Sequence, residues 1–332
     1  MKMLTCVSPI DGKVFAKREA LSISKSQEVI ETSRKSQPAW SQRPIEERID
    51  LVLAGVAEMG RMNDDVVPEL AKMMGRPVRY GGEFKGFEER ACYMAKIASQ
   101  SLQAIDAGED ADFKRYIRRI PHGVVFVIAP WNYPYMTAIN TIAPALIAGN
   151  TVILKHSTQT LLVGERLASA FHSAGVPKDV FQNVFLDHEI TTQLIAENSF
   201  DFINFTGSVP AGASIEKAAA GTFTGVGTEL GGTDPGYVRE DADLEAAAET
   251  LIDGAMFNSG QCCCGIERIY VQESLFDDFL KKAISIVSNY ELGNPLDMAT
   301  TLGPMANIRF ANHVRDQISD AQKKGAIAHI KT

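Results

Sequence analysis

Long apolar runs are missing from this sequence. Its most hydrophobic stretch, residues 136–148, is interrupted by Asn140 and Pro144, so nothing approaches the roughly 18 apolar residues that a membrane-spanning helix needs. Residues 1–15 hold no apolar segment long enough for the core of a secretory signal. Basic charge is short as well. Lys and Arg total 33 against 41 Asp and Glu, a formal net charge of −8. Repulsion from phosphates is therefore not offset, which argues against nucleic acid or an anionic membrane as a partner. The one basic cluster, at 114–119, is brief and reads as a solvated edge. Cysteine is scarce: the five present are an odd number with three adjacent, which is not a disulfide framework. Internal repeats and low-complexity segments are absent. The expectation from these absences is a cytoplasmic enzyme.

What is present suits more than one globular domain. A length of 332 residues exceeds one ordinary domain, and 45% hydrophobic with 22% charged residues is enough to bury a sizeable core. From about 24 to 103 the pattern is mostly helical. Ser24 to Gln27 has capping-box spacing and opens one amphipathic stretch, and Pro44-Ile45-Glu46-Glu47 opens another. Strand-like runs then alternate with helical ones, at 124–128, 151–154, 180–185 and 202–205, with a helix over 161–174 closed by Gly175 and Pro177. Nearly continuous apolar strands alternating with helices predict a parallel sheet covered on both faces, which binds ligands at the carboxyl ends of its strands. A helical stripe over 243–257, a strand at 268–271, a helix over 275–290, a further helix and a strand at 326–330 read as a second α/β domain. That domain ends on what reads as an internal strand.

Four short motifs carry chemistry. The sharpest is Gly260-Gln261-Cys262-Cys263-Cys264, just past a helix end. Three consecutive cysteines are not expected to share one metal, because neighbouring side chains diverge and no histidine is near, so the metal expectation is none. The triplet reads equally as a buried small-residue turn or as a nucleophile. Glu229-Leu230-Gly231-Gly232 is an acid before a tight turn, and on its own reads first as a strand leaving by that turn. Pro130-Trp131-Asn132-Tyr133-Pro134 follows an apolar strand, and its prolines hold an amide side chain in fixed, non-helical backbone; aromatic packing in a rigid loop is the plainer reading. Phe205-Thr206-Gly207-Ser208 runs a strand into a helix whose N-terminal N–H groups could meet a pyrophosphate, though one Gly-Ser step is a weak signal.

In this order the four motifs strongly resemble the aldehyde dehydrogenase superfamily. Its cysteine signature is matched by Phe257, Asn258, Gly260, Gln261, Cys263 and Arg268, and its Glu-Leu-Gly-Gly signature by Glu229 to Gly232, 34 residues before the cysteine. The proline-tryptophan-asparagine turn, Leu154-Lys155, the Phe-Thr-Gly-Ser turn and the opening Ser8 to Gly12 match too, so the likeness runs from about residue 7 to the end.

The resemblance implies that Cys263 attacks an aldehyde to form a thiohemiacetal. A thiol of ordinary pKa about 8.5 must be activated for this. The Cys263 backbone N–H and the Asn132 amide would hold the oxyanion, and such donors are commonly worth about 3–4 kcal/mol each. Hydride loss to NADP or NAD would leave a thioester that Glu229, as general base, hydrolyses to the acid. For that role partial burial of Glu229 is expected. Family branches that pass the acyl group to coenzyme A generally lack this base, so the hydrolytic branch is implied. By the same resemblance Trp131, Lys155, Thr158, Gly207, Ser208 and Leu230 carry the cofactor. NAD-strict members often hold a glutamate where Thr158 stands, and its absence predicts that NADP is accepted. Asp187-His188-Glu189 replaces the usual glycines beside the adenine, and His156 and His188 are expected to be supporting or surface residues rather than ligands. Residues of 83–99, with Tyr133, Tyr135, Cys262 and Cys264, are expected to line the substrate entrance, and Arg90 is the one candidate anchor for a carboxylated aldehyde.

The implied organisation is a Rossmann-like parallel-sheet NAD(P)-binding domain (1–104 and 122–231), a bridging hairpin (105–121) and a second α/β catalytic domain (232–332). Relative to the family this last domain is incomplete at its C-terminus, and poor solubility and weak activity are expected of it. The full-length family implies a homodimer or homotetramer, without extending that to this chain. Two other readings stand beside the oxidoreductase. One is a non-catalytic dinucleotide-binding or structural protein of the same fold, the other a cofactor-free thioesterase-like hydrolase using the same Cys and Glu.

Overall fold

A computed structural model describes residues 2–110 and 112–330. Residue 111 of the expected hairpin and residues 331 and 332 of the expected second domain lie outside them. The paired strands β1 (Met3–Val7) and β2 (Val14–Glu19) lead into four helices: α1 (Ile23–Ser41), α2 (Ile45–Arg61), α3 (Asn63–Met74) and α4 (Phe84–Ser101). An antiparallel hairpin follows, β3 (Ile105–Asp110) with β4 (Phe113–Ile117), every side chain of β4 being exposed. Then come β5 (Val124–Ala129), α5 (Pro134–Ile147), β6 (Thr151–His156), α6 (Val163–Ser173), β7 (Phe181–Val184), α7 (His188–Ala196), β8 (Phe202–Gly207), α8 (Val209–Ala219) and β9 (Gly225–Leu230). The remainder is β10 (Asp234–Val238), α9 (Leu244–Met256), β11 (Ile266–Val271), α10 (Phe276–Ser288) and α11 (Ile308–Lys323).

Contacts divide the chain into two compact units. The first comprises residues 1–5, 16–64 and 83–229; the second comprises 6–15, 65–82 and 230–332. The first is built on a parallel five-stranded sheet in the order β7-β6-β5-β8-β9. The chain runs outward from β5 through β6 to β7 and then returns to β8 on the other flank of β5. That reversal opens a crevice at the carboxyl ends of β5 and β8. Every residue of β5 and β6 is buried, as continuous apolar runs demand of strands covered on both faces.

Helix α5 is the most enclosed helix of the first unit, with nine of its side chains buried. Its orphan end groups therefore need partners inside the protein. At the N-terminus the Glu83 carboxylate accepts the Tyr135 and Met136 N–H groups at 3.1 and 2.8 Å. At the C-terminus Asn150 Nδ2 donates to the Ala145 carbonyl at 3.1 Å, Trp40 Nε1 to Leu146 at 3.0 Å and Arg48 Nε to Ile147 at 2.9 Å. Burial lowers the Arg48 guanidinium from its usual value, with Glu46 opposing.

Two expectations about element ends do not hold. The N-cap of α1 is Ser22, extended at φ −70° and accepting the Lys25 N–H, so Ser24 lies inside the helix. Residues 326–330 are not a strand. Strand backbone requires a neighbouring edge to receive its hydrogen bonds, and no described strand pairs with this segment.

The second unit centres on the parallel pair β10 and β11 with α9 and α10, whose buried core is Val238, Ala248, Ile252, Phe279 and Ala283. No residue of α11 is buried, and Leu292, Met298 and Ile308 are exposed. Here segment 65–82 meets 303–306 backbone to backbone. A Cβ on Gly303 would come within 1.8 Å of the Gly75 carbonyl oxygen, and one on Gly75, at φ +85°, within 2.2 Å of that of Pro304. Gly303→Ala must push two main-chain segments apart, and is expected to lower stability by about 1–3 kcal/mol. Urea denaturation followed by circular dichroism checks this, and a neutral result would mean that the two segments yield freely.

Candidate active site

In the first unit the expected cofactor and oxyanion residues lie at the carboxyl ends of β5, β6 and β8. Trp131 and Asn132 follow β5, Lys155 lies at the end of β6, Thr158 opens a 3-10 turn after it, and Gly207 and Ser208 close β8. The Asn132 side-chain oxygen accepts the Tyr133 N–H at 3.0 Å, which fixes the plane of its amide. Gly207 is needed for close approach, since a Cβ there would meet Phe205 Cζ at 2.6 Å. Ser208 is the exposed N-cap of α8.

Lys155 is buried, and that burial depresses its amine to about 8, against the opposing pull of Asp187. Asp187 is the N-cap of α7, accepting the Ile190 N–H at 2.9 Å and pairing with Lys2 Nζ at 3.2 Å. The Ile190 N–H and Lys2 lower its carboxyl, against the effect of burial. Next to Lys155, His156 is buried, with Nε2 3.2 Å from the Pro134 carbonyl and Nδ1 3.1 Å from the Thr160 hydroxyl. That geometry assigns the proton to Nε2, which donates to Pro134, while Nδ1 accepts from Thr160. His156 therefore ties the end of β6 to the turn carrying Asn132. His188 is exposed.

Glu229 departs from expectation. Instead of being partly buried it is exposed, one residue from the end of the edge strand β9 and the last residue of the first unit. An edge strand has a neighbour on one side only, so nothing within that unit covers its outer end. Leu230 is half-buried and opens the final segment of the second unit.

In the second unit the cysteine turn is preceded by three consecutive left-handed residues, Asn258 at φ +55°, Ser259 at +59° and Gly260 at +71°. Such backbone costs about 1–3 kcal/mol at each non-glycine position, so it must be over-determined. Asn258 Nδ2 donates to the Gln261 carbonyl at 3.2 Å and Gln261 Nε2 returns a bond to the Asn258 carbonyl at 3.0 Å. Arg76 Nε donates to Asn258 Oδ1 at 3.3 Å, the Ala306 N–H to Gln261 Oε1 at 2.8 Å, and the Ser259 hydroxyl to the Gly303 carbonyl at 2.7 Å. The Cys263 carbonyl accepts the Gly232 N–H at 2.9 Å, and Arg268 donates to the Thr233 carbonyl at 3.0 Å.

The side chain of Cys263 is exposed on this turn. The expected divergence of the three thiols is not found: the sulfurs of Cys262, Cys263 and Cys264 all lie within 4.8 Å of one another. A turn, unlike a strand, folds i and i+2 together, and Cys262 Sγ is 3.4 Å from Cys264 Sγ. That hydrogen bond, with burial second, pushes the Cys264 thiol up to about 12.

One further expectation changes. Tyr133 and Tyr135 are buried rather than lining an entrance, with Tyr135 only 1% exposed. Arg90 is exposed and donates to Asn140 Oδ1 at 3.1 Å. Glu83 and Arg76, which no motif singled out, and His156 carry much of the local order. Only the left-handed φ of +66° at Glu83 marks it locally, and no sequence pattern announces it.

The fold and these turns define a class: the chain belongs to the aldehyde dehydrogenase family, whose sequence model matches residues 1–331. It is 31% identical over 326 residues to 3,6-anhydro-alpha-L-galactose dehydrogenase of Vibrio sp. (strain EJY3), covering 96% of this chain and 67% of that one. It is also 31% identical to the NADP(+) succinate-semialdehyde dehydrogenase of Deinococcus radiodurans, with 96% and 67% covered. Among solved structures, the NAD-dependent benzaldehyde dehydrogenase of Corynebacterium glutamicum superposes with a TM-score of 0.93 at 29% identity, over 100% of this chain and 72% of that one. The chain thus spans about two thirds of the length of such relatives. Among its described residues no helix is long and apolar enough to cross a membrane.

Gln261→Leu keeps the side-chain bulk but takes the side-chain acceptor from the buried Ala306 N–H and one of the two bonds from the Asn258 carbonyl, which keeps the Gln261 backbone N–H. It is expected to cost about 1–3 kcal/mol and to speed amide exchange at Ala306, measured by hydrogen–deuterium exchange. Burial, more than the Lys155 charge, lowers the His156 imidazole from its ordinary 6.5 to about 4, with the Pro134 bond opposing. The unfolded chain then takes up a proton that the folded one refuses, so this contribution to stability is intact above pH 6.5 and lost progressively toward 4. An NMR titration in which His156 protonates near its ordinary value would contradict this.

Proposed function

We infer that the chain carries the machinery for NAD(P)-dependent oxidation of an aldehyde to a carboxylate, with Cys263 as nucleophile. The observation that carries this reading is the left-handed, hydrogen-bonded turn that holds Cys263 exposed. Strained backbone clamped by five side-chain hydrogen bonds is how a nucleophile is kept in one orientation. The Cys263 thiol releases its proton to solvent, and the sulfur forms a carbon–sulfur bond to the aldehyde carbon as the carbonyl π pair moves onto oxygen. The charge that develops on oxygen is taken up by the Cys263 backbone N–H and the Asn132 amide, a neutral pair of donors. When bound, the nicotinamide supplies a hydride acceptor. Glu229 then removes a proton from the water that cleaves the thioester, returning the thiol and releasing the acid.

The first unit is the cofactor-binding half of this reading. The buried Lys155 ammonium suits ribose hydroxyls, and the N-terminal end of α8 at Gly207 and Ser208 suits a pyrophosphate. Trp131 is an apolar neighbour for the nicotinamide end, and Leu230 of the second unit is proposed as a further cofactor residue. Thr158 presents no carboxylate to a 2′-phosphate, so NADP is proposed as an accepted and even preferred cofactor. The NADP(+) and NAD-dependent names among the relatives are compatible with either choice.

The decisive experiment is rapid mixing of enzyme, cofactor and an aldehyde panel. Cys263→Ala is expected to lose at least about 10^4-fold in kcat. Glu229→Gln should still give a stoichiometric burst of reduced cofactor and then stall, and turnover by Cys263→Ala would end the proposal. For the cofactor, kcat/KM with NADP should equal or exceed that with NAD. Thr158→Glu should reduce the NADP value about tenfold, ~1.4 kcal/mol. A strong NAD preference in the unmodified chain would refute the assignment.

A further inference from the structure

The three cysteines that follow the left-handed turn form a cluster with a chemistry of its own. Cys262, Cys263 and Cys264 are consecutive, and their sulfurs nonetheless converge to within 4.8 Å, with one pair at 3.4 Å. The reason is local. The Cys262 N–H bonds back to the Gly260 carbonyl at 3.0 Å, and the Gly265 N–H reaches the Cys262 carbonyl at 3.4 Å, so the chain reverses across residues 262–265. Four-coordinate zinc has metal–sulfur bonds of about 2.3 Å, which sets ligand sulfurs about 3.8 Å apart. That spacing falls between the shortest separation in the cluster and its upper bound. Cys263 and Cys264 are exposed and Cys262 half-buried, so an ion can enter from solvent. None of the three is in a disulfide.

We propose that Cys262, Cys263 and Cys264 form a three-sulfur site for a thiophilic d10 divalent cation, zinc or cadmium, with water as the fourth ligand. Soft thiolates select such ions over magnesium or calcium. Binding breaks three S–H bonds and forms three metal–sulfur bonds; three protons pass to solvent, and no group is oxidised or reduced. One of the three sulfurs is the nucleophile proposed above, so occupancy blocks aldehyde addition. That consequence rests on the proposed function, whereas the binding itself does not.

The test is a cadmium titration of the full chain, kept reduced with a phosphine, followed by thiolate-to-cadmium absorbance and by proton release in weak buffer. One cadmium per chain is expected. Cys262→Ser and Cys264→Ser should each weaken binding by at least the roughly tenfold lost with an outer-shell partner, and Cys92→Ser should leave it unchanged. A second measurement needs no variant: cadmium should shield residues 262–264 of the unmodified protein from iodoacetamide in peptide mapping, while exposed Cys92 still alkylates. The proposal is overturned by absence of a saturable cadmium signal, by single variants that bind as the unmodified chain does, or by equal alkylation of all exposed cysteines. Each of these outcomes leaves burst kinetics free to support or refute the role of Cys263.

Discussion

A helix that is apolar on most sides can be buried only if its ends are satisfied from within the protein. Helix α5 meets that constraint with Glu83 at one end and Trp40, Arg48 and Asn150 at the other. The first unit is organised around this requirement. Helices α1 and α2 must lie where their Trp and Arg reach the last turn of α5, and α4 where its capping Glu83 reaches the first. The loop of Trp131 and Asn132, strung between β5 and α5, then has little freedom left. His156 removes more of it by joining β6 to the Pro134 carbonyl.

The second unit solves the opposite problem. Its reactive-looking segment is a turn in disfavoured backbone, not a regular element. Asn258 and Gln261 exchange hydrogen bonds across the turn, and Arg76, Gly303 and Ala306 brace it from distant segments. Those segments are themselves in register because Gly75 and Gly303 allow main chains to touch. The asparagine, glycine and glutamine of the cysteine signature thus have a mechanical explanation that does not depend on contact with a substrate. They make a strained turn cheaper than its alternatives.

Much of the fold was legible because strand and helix periodicity is a short-range property. The apolar runs at 124–128 and 151–154 became fully buried parallel strands, and the stripe over 243–257 became α9. Errors arose where a competitor sat within a residue or two, or where a partner was required. Ser22 and Ser24 are both serviceable caps, and the one in extended backbone won. Residues 326–330 have strand composition, but among the described residues no strand pairs with them. The cysteines were expected to diverge on the analogy of an extended chain, and a chain reversal brought them together.

By itself the sequence determined which chemistry is available: a thiol, a carboxylate, an amide and a buried-strand lysine in an order specific to one family, and the pattern that makes a parallel sheet. Tertiary structure alone decided how those groups are held and how wet they are. Lys155 and His156 are adjacent in β6 and both buried, while Glu229 on an edge strand is open to water. The physical reason is separation along the chain. Arg76 reaches Asn258 across 182 residues and Trp40 reaches Leu146 across 106. Hydrogen-bond partners that far apart leave no periodic trace, and burial, which depresses Lys155 and His156, is a property of the packed chain.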